Sequence, residues 1–227
     1  MTFSLNVSIA LNFFLLGVMC IEQNPLPKNK PTWQDSVVVD TVIVHDTILD
    51  VKGKNVLFIG DSHTSNTKSG WQLILSNKTK MRMNNISVGG KTTGWMLQRA
   101  KESLHSGIDY CFIYGGANDM YSNSISITTA VKNIQMIVNL CNQKGIHAIV
   151  ITGFNPLICV NTPNNSFYAS KYRKFQDELL NNIKGANVIQ TYVVSKTDCW
   201  DGLCHMAPSG HKKMADCIIK NMKFKTY

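Results

Sequence analysis

Short apolar runs alternate with amphipathic stretches from residue 54 to the end of the chain. "NVLFIG" (55–60), "DYCFIYGG" (109–116), "HAIVITGF" (147–154) and "ANVIQTYVV" (186–194) are nearly unbroken apolar runs bounded by turn residues, the pattern of strands buried on both faces. Between and after them, "KSGWQLILSNK" (68–78), "ISITTAVKNIQMIVNLCNQKG" (125–145), "SFYASKYRKFQDELLNNI" (166–183) and "SGHKKMADCIIKNMK" (209–223) place apolar residues at helical spacing. Strands that alternate with helices predict crossover units, and so a mainly parallel sheet with helices on both faces. Ligands of such sheets bind at the carboxyl ends of the strands.

The pattern changes upstream of residue 53. Leu5 to Ile21 form an apolar run broken by Asn6, Ser8 and Asn12, short of the ~20 apolar residues that span a bilayer. Residues 1–21 therefore read as a hydrophobic signal or anchor segment, although no basic residues precede the run. Residues 22–52 read as a spacer. Its first part, "EQNPLPKNKPTWQD", holds three of the chain's six prolines and predicts an extended linker. Its second part, "VVVDTVIVHDTILDV" (37–51), repeats Asp-Thr followed by aliphatic residues, and its β-branched content predicts a stalk or edge strand able to pair with a copy of itself. The third unit, residues 53–227, carries the strand and helix alternation.

Composition narrows the partners. The 227 residues hold 23 Lys+Arg against 14 Asp+Glu, a formal charge of +9, but the lysines are scattered among asparagines. That distribution describes a solvated surface and no nucleic-acid face. The seven cysteines show no CxxC pair and no histidine partner at zinc-ligand spacing, so neither a metal nor another cofactor is expected. Cys111 falls within an apolar run and reads as a buried thiol, whereas Cys159, Cys199 and Cys204 fall in loops and would pair in an oxidising compartment.

Candidate chemistry sits where the strands end. "GDSHTSN" (60–66) puts Ser62 on a strand-to-helix turn, with Gly60 giving the backbone room and Asp61 placed to bond the turn from outside. Helix capping would explain the same residues. A nucleophilic serine needs in addition a base and oxyanion donors. "SVGGKTTG" (87–94) offers glycine N–H groups; its Gly-Lys-Thr is half of a phosphate-binding loop, but Asn85 stands where the other half needs glycine, which argues against a P-loop NTPase. "GGANDM" (115–120) supplies Asn118, whose amide can donate to a developing oxyanion without titrating, or can simply form a turn. "WDGLCHMAPSGHKKMA" (200–215) puts Asp201 and His205 in a loop just before the last helix.

Taken in this order, "GDSH", "VGGKTT", "GGAND" and "DGLCH" followed by "GH" resemble the blocks of the SGNH hydrolases, the GDSL-type esterase and lipase superfamily, across about residues 54 to 222. The resemblance implies a three-layer α/β/α flavodoxin-like sandwich. It also implies Ser62 as nucleophile, His205 as base before His211, and the Ser62 N–H, the Gly90 N–H and the Asn118 amide as oxyanion donors. Three residues separate Asp201 from His205 where the superfamily has two, so Asp201 is the first choice for the acid and Asp198 the second.

The expected activity is that of a serine ester hydrolase working without metal on an O-acetyl or other short acyl ester of a glycan or cell surface, exported or held at the surface by its N-terminus. An O-acyltransferase would use the same residues and give transfer products. A carbohydrate-binding module that kept the fold and lost activity would leave Ser62 unreactive.

Overall fold

The computed structural model describes residues 48–65, 68–122, 124–155, 163–200 and 205–227, without the side chains of 163–166. The leader, the proline-containing linker and most of the stalk thus lie outside the described residues, as do Cys159, Asp201 and Cys204.

The apolar runs become the centre of a sheet. β1 (Asn55–Gly60), β3 (Tyr110–Tyr114) and β4 (His147–Gly153) are buried along nearly their whole length, as strands covered on both faces must be. β2 (Arg82–Asn85) and β5 (Asn187–Gln190) close the edges, and the order β2-β1-β3-β4-β5 is parallel at every pairing. Side chains alternate between the faces. Leu57 and Ile59 point into a core with Met96, Leu97 and Ala100 of α2 (Thr93–Ser103), Ile134 and Val138 of α4 (Ile127–Gln143), and Phe175 and Leu179 of α5 (Pro163–Asn182). Val56 and Phe58 point the other way, against Trp71 and Leu75 of α1 (Trp71–Thr79) and Met214 and Ile218 of α6 (Pro208–Met222). The result is the three-layer sandwich with a flavodoxin-like strand order.

Three elements are missing from the hydrophobic pattern of the sequence, the five-residue helix Ala117–Tyr121 among them. β2, "RMNN", has one apolar residue because an edge strand leaves part of its surface in water. α2 begins within "GGKTTG" (89–94), which reads locally as a loop; its helical start depends on contacts made 26 residues away, where Asp119 accepts the Thr93 N–H and hydroxyl.

The chain runs from β1 outward to β2, then crosses back over β1 to β3. Connections therefore leave the carboxyl ends of β1 and β3 in opposite directions and open a crevice between them, the usual ligand position in such sheets. At the far end of the molecule the Leu49 N–H donates to the Lys223 carbonyl and the Lys225 N–H to the Leu49 carbonyl, both at 2.9 Å, and Val51 is buried beside them. Residues 48–51 thus join the domain where α6 ends, about 22 Å along that helix from its start beside the crevice. Among the described residues, no helix is long and apolar enough to cross a membrane. Cys111 is buried as expected, with Cys141 of α4 beside it raising its thiol pKa together with burial.

Candidate active site

β1 ends in Gly60 because nothing larger fits: a Cβ there would lie 2.1 Å from the Tyr114 carbonyl oxygen of β3. Immediately afterwards the N–H groups of Thr64 and Ser65 both donate to the Asp61 carbonyl at 3.0 Å, closing a single tight turn. Ser62 stands on that turn half-buried, while Asp61 and His63 on either side of it point inward. Asp61 therefore bonds the turn from inside and not, as expected from its polarity, from outside. It is fully buried, and its Oδ1 accepts the His63 N–H at 3.0 Å. Burial pushes its carboxyl up to about 7 against the backbone N–H groups of His63, Ala117 and Gly116.

The loop after β2 passes directly beside Ser62. A Cβ on Gly89 would lie 3.7 Å from the Ser62 Cβ, ordinary van der Waals contact, so this backbone runs against the serine side chain. Gly90 follows with φ +75°, in the left-handed region that glycine enters without strain. Asn118 opens the short α3 (Ala117–Tyr121) after β3, and its Nδ2 donates to the Lys91 carbonyl at 3.0 Å. One N–H of the amide is thereby fixed and the second is left to another acceptor. The same two loops are laced again by Asp119, which takes both the Thr93 N–H (2.9 Å) and the Thr93 hydroxyl (2.5 Å), while Asn133 donates to Thr93 Oγ1 at 3.0 Å. Gly90 and Asn118, the two expected oxyanion donors outside the nucleophile turn, thus lie on loops tied directly together. The braces Asp119, Thr93 and Asn133 have no signal in the sequence beyond their polarity.

The third participant comes from far along the chain. His205 Nε2 lies 2.9 Å from Ser62 Oγ, 143 residues away; in the tautomer with the proton on Nδ1, the serine hydroxyl donates to Nε2. Its loop is held by an antiparallel bridge between Cys199 and Met206, with the Trp200 N–H donating to the His205 carbonyl at 2.9 Å and the Ala207 N–H to the Asp198 carbonyl at 2.8 Å. Asp201 lies outside the described residues. Asp198, the second choice for the acid, is committed elsewhere: its Oδ2 accepts the Ser195 N–H (2.9 Å), the Ser195 hydroxyl (2.6 Å) and Lys213 Nζ (2.7 Å). Burial pushes its carboxyl up, but these partners outweigh burial and hold it well below the usual range. His211 is also taken, for its Nδ1 accepts the Trp71 N–H at 3.3 Å in the buried interior.

His63 and His211 are buried imidazoles near the exposed His205. Burial, with the nearby His205 as second cause, lowers His63 to about 3 and His211 to about 4. For His211 the sign is plain: below about 6.5 the unfolded chain carries a proton that the folded chain excludes, so this ring subtracts stability as the pH falls from 6.5 towards 4. Replacing His211 with glutamine should shift relative stability in favour of the variant by about 1.4 kcal/mol per pH unit across that window. Urea unfolding at pH 7, 6 and 5 measures the shift, and a constant difference between the two proteins contradicts it.

Among the described residues no group of three or more histidine, cysteine or carboxylate side chains is arranged to hold a metal ion. The described site sets a serine hydroxyl against an imidazole.

No curated protein matches the chain. Among solved structures, a lipolytic protein of the G-D-S-L family from Veillonella parvula DSM 2008 superposes with a TM-score of 0.62 at 16% identity, covering 74% of this chain and 97% of its own. A catalytic variant of an acetylxylan esterase from Geobacillus stearothermophilus gives 0.62 at 15% identity, with 78% and 98% covered. A GDSL-like lipase from Bacteroides thetaiotaomicron VPI-5482 gives 0.61 at 15%, with 75% and 88% covered. At these identities the likeness is one of fold. Residues 56–218 match the family model described as GDSL-like Lipase/Acylhydrolase. The chain belongs to that family, the SGNH hydrolases, and is a carboxylic ester hydrolase.

Proposed function

We propose that the protein removes O-acetyl or other short acyl groups from a glycan or another cell-surface ester through an acyl-enzyme on Ser62. The observation that carries this reading is the 2.9 Å contact between Ser62 Oγ and His205 Nε2 at the mouth of the crevice. In the reaction, Nε2 takes the hydroxyl proton as Oγ attacks the ester carbonyl, and returns it to the departing alcohol. The negative charge that forms on the carbonyl oxygen is met by the N–H groups of Ser62 and Gly90 and by the free N–H of the Asn118 amide. Water activated by the same imidazole then clears the acyl group. Asp201 is the proposed partner of Nδ1.

A short acyl group is favoured because the space under the nucleophile is filled. The rings of His63, Tyr114 and Phe154 pack there with centroids 5.4 and 5.7 Å from His63, and Gly89 lies against the Ser62 side chain. A glycan alcohol is favoured by the acetylxylan esterase among the similar structures. We place the protein outside the cytoplasm on the apolar character of residues 5–21.

The test is acetate release from acetylated xylan or peptidoglycan fragments, alongside p-nitrophenyl acetate and p-nitrophenyl palmitate. Acetate esters should turn over and the palmitate should not; preference for palmitate contradicts the short-acyl reading. Asn118→Ala should lower kcat by about 10²-fold with a smaller change in KM, as expected of a donor used mainly in the transition state. A change confined to KM would make Asn118 a binding group.

A further inference from the structure

We infer that His63 is a positioning residue for the base, its flat ring serving as a shelf that holds the His205 imidazole in line with Ser62. The inference rests on the roles proposed above for Ser62 and His205. It starts from a side chain that hydrolysis by these two residues does not itself require: a histidine adjacent to the nucleophile, 4% exposed, in a place where any apolar residue would fill space.

The ring lies in a stack. Tyr114 is 5.4 Å away at an interplanar angle of 29°, His205 is 5.2 Å away at 22°, and Phe154 presents itself edge-on at 5.7 Å. Its backbone is fixed on both sides, since the N–H donates to Asp61 Oδ1 at 3.0 Å and the carbonyl accepts the Trp71 indole N–H at 3.1 Å. One tight turn thus presents the nucleophile upward and a rigid planar surface inward. His205, by contrast, stands on a loop between two strand-like arms, where a terminal ring torsion is broad unless packing restricts it. A ring within 22° of parallel removes that freedom, and with it the loss of in-line geometry that a displacement of about 1 Å would bring.

The buried nitrogen indicates which property of His63 matters. Its Nδ1 has no hydrogen-bond partner, so this ring nitrogen stabilises nothing by bonding and adds a desolvation cost. The planar surface is then what the site uses. Burial also keeps the ring neutral, so it presents no charge to the imidazolium that forms on His205 during attack.

Three variants separate the possibilities. His63→Phe keeps a flat ring and should retain kcat within about threefold of the native protein. His63→Leu keeps apolar volume without a planar face, and His63→Ala keeps neither; both should lower kcat by about 10-fold or more while KM moves by less than about threefold. Thermal unfolding run beside the kinetics identifies loss of folded protein, and rates are taken per active site titrated with a fluorophosphonate. The inference is overturned if the leucine variant matches the phenylalanine variant, if the phenylalanine variant is as slow as alanine, or if the loss lies in KM. Ser62→Ala and His205→Ala serve as controls: if these remain active, the underlying reading of the site has failed, whereas if they are inactive and all three His63 variants are fast, only the shelf is wrong.

Discussion

Replacing Ser62 with alanine should abolish ester hydrolysis and leave the fold intact. In hydrolases that work through a serine, a histidine and an acid, removing the nucleophile costs on the order of 10⁶ in kcat, because the remaining groups have no bond to form with the substrate. The structural cost is small. Ser62 is half-buried, and the turn that carries it is closed by the Asp61 carbonyl and not by the serine hydroxyl. The hydroxyl's contact is with His205, on a loop fastened independently through the Cys199–Met206 bridge. Wild type and Ser62→Ala should therefore unfold at similar temperatures while p-nitrophenyl acetate turnover and fluorophosphonate labelling disappear. Residual activity above about a tenth of wild type removes Ser62 from the role of nucleophile.

The pairing of Ser62 with His205 was legible for a reason that does not extend to the contacts around it. "GDSH" and "DGLCH" are short local strings, and each lies at the end of a strand or before a helix that the apolar pattern already predicts. Strands β1, β3 and β4 were visible in the same way, since burial on both faces demands unbroken apolar runs. The supports are contacts across the chain. Nothing in "GGAND" announces that Asn118 will be held by the Lys91 carbonyl, or that Asp119 will seat the first turn of α2 through Thr93. Asp61 illustrates the opposite error, for its polarity suggested an outward carboxylate, whereas the strand it follows carries it into the interior. His63 gave no local signal at all; its meaning lies in a ring 142 positions away in sequence, brought near by the return of the chain before α6.

The choice between two aspartates for the acid provides the second large effect. Asp198 carries three hydrogen bonds on one oxygen, caps the 3₁₀ turn Lys196–Asp198 through Ser195, and receives Lys213 from α6. Its replacement by alanine should therefore act on stability, lowering it by about 1–3 kcal/mol, with activity per folded molecule largely kept. Asp201 is joined to Trp200, whose N–H donates to the His205 carbonyl at 2.9 Å. Gly202 is expected to absorb the extra residue relative to the superfamily spacing, since glycine adopts conformations closed to other residues. Asp201→Ala should lose about 10²- to 10⁴-fold in kcat with little change in unfolding temperature, the behaviour of a base that has lost the partner setting its tautomer. His205→Ala should lose nearly all activity. If instead Asp198→Ala is inactive while still folded and Asp201→Ala is active, the acid lies upstream of the loop; if both remain active, His205 works against Ser62 without a carboxylate.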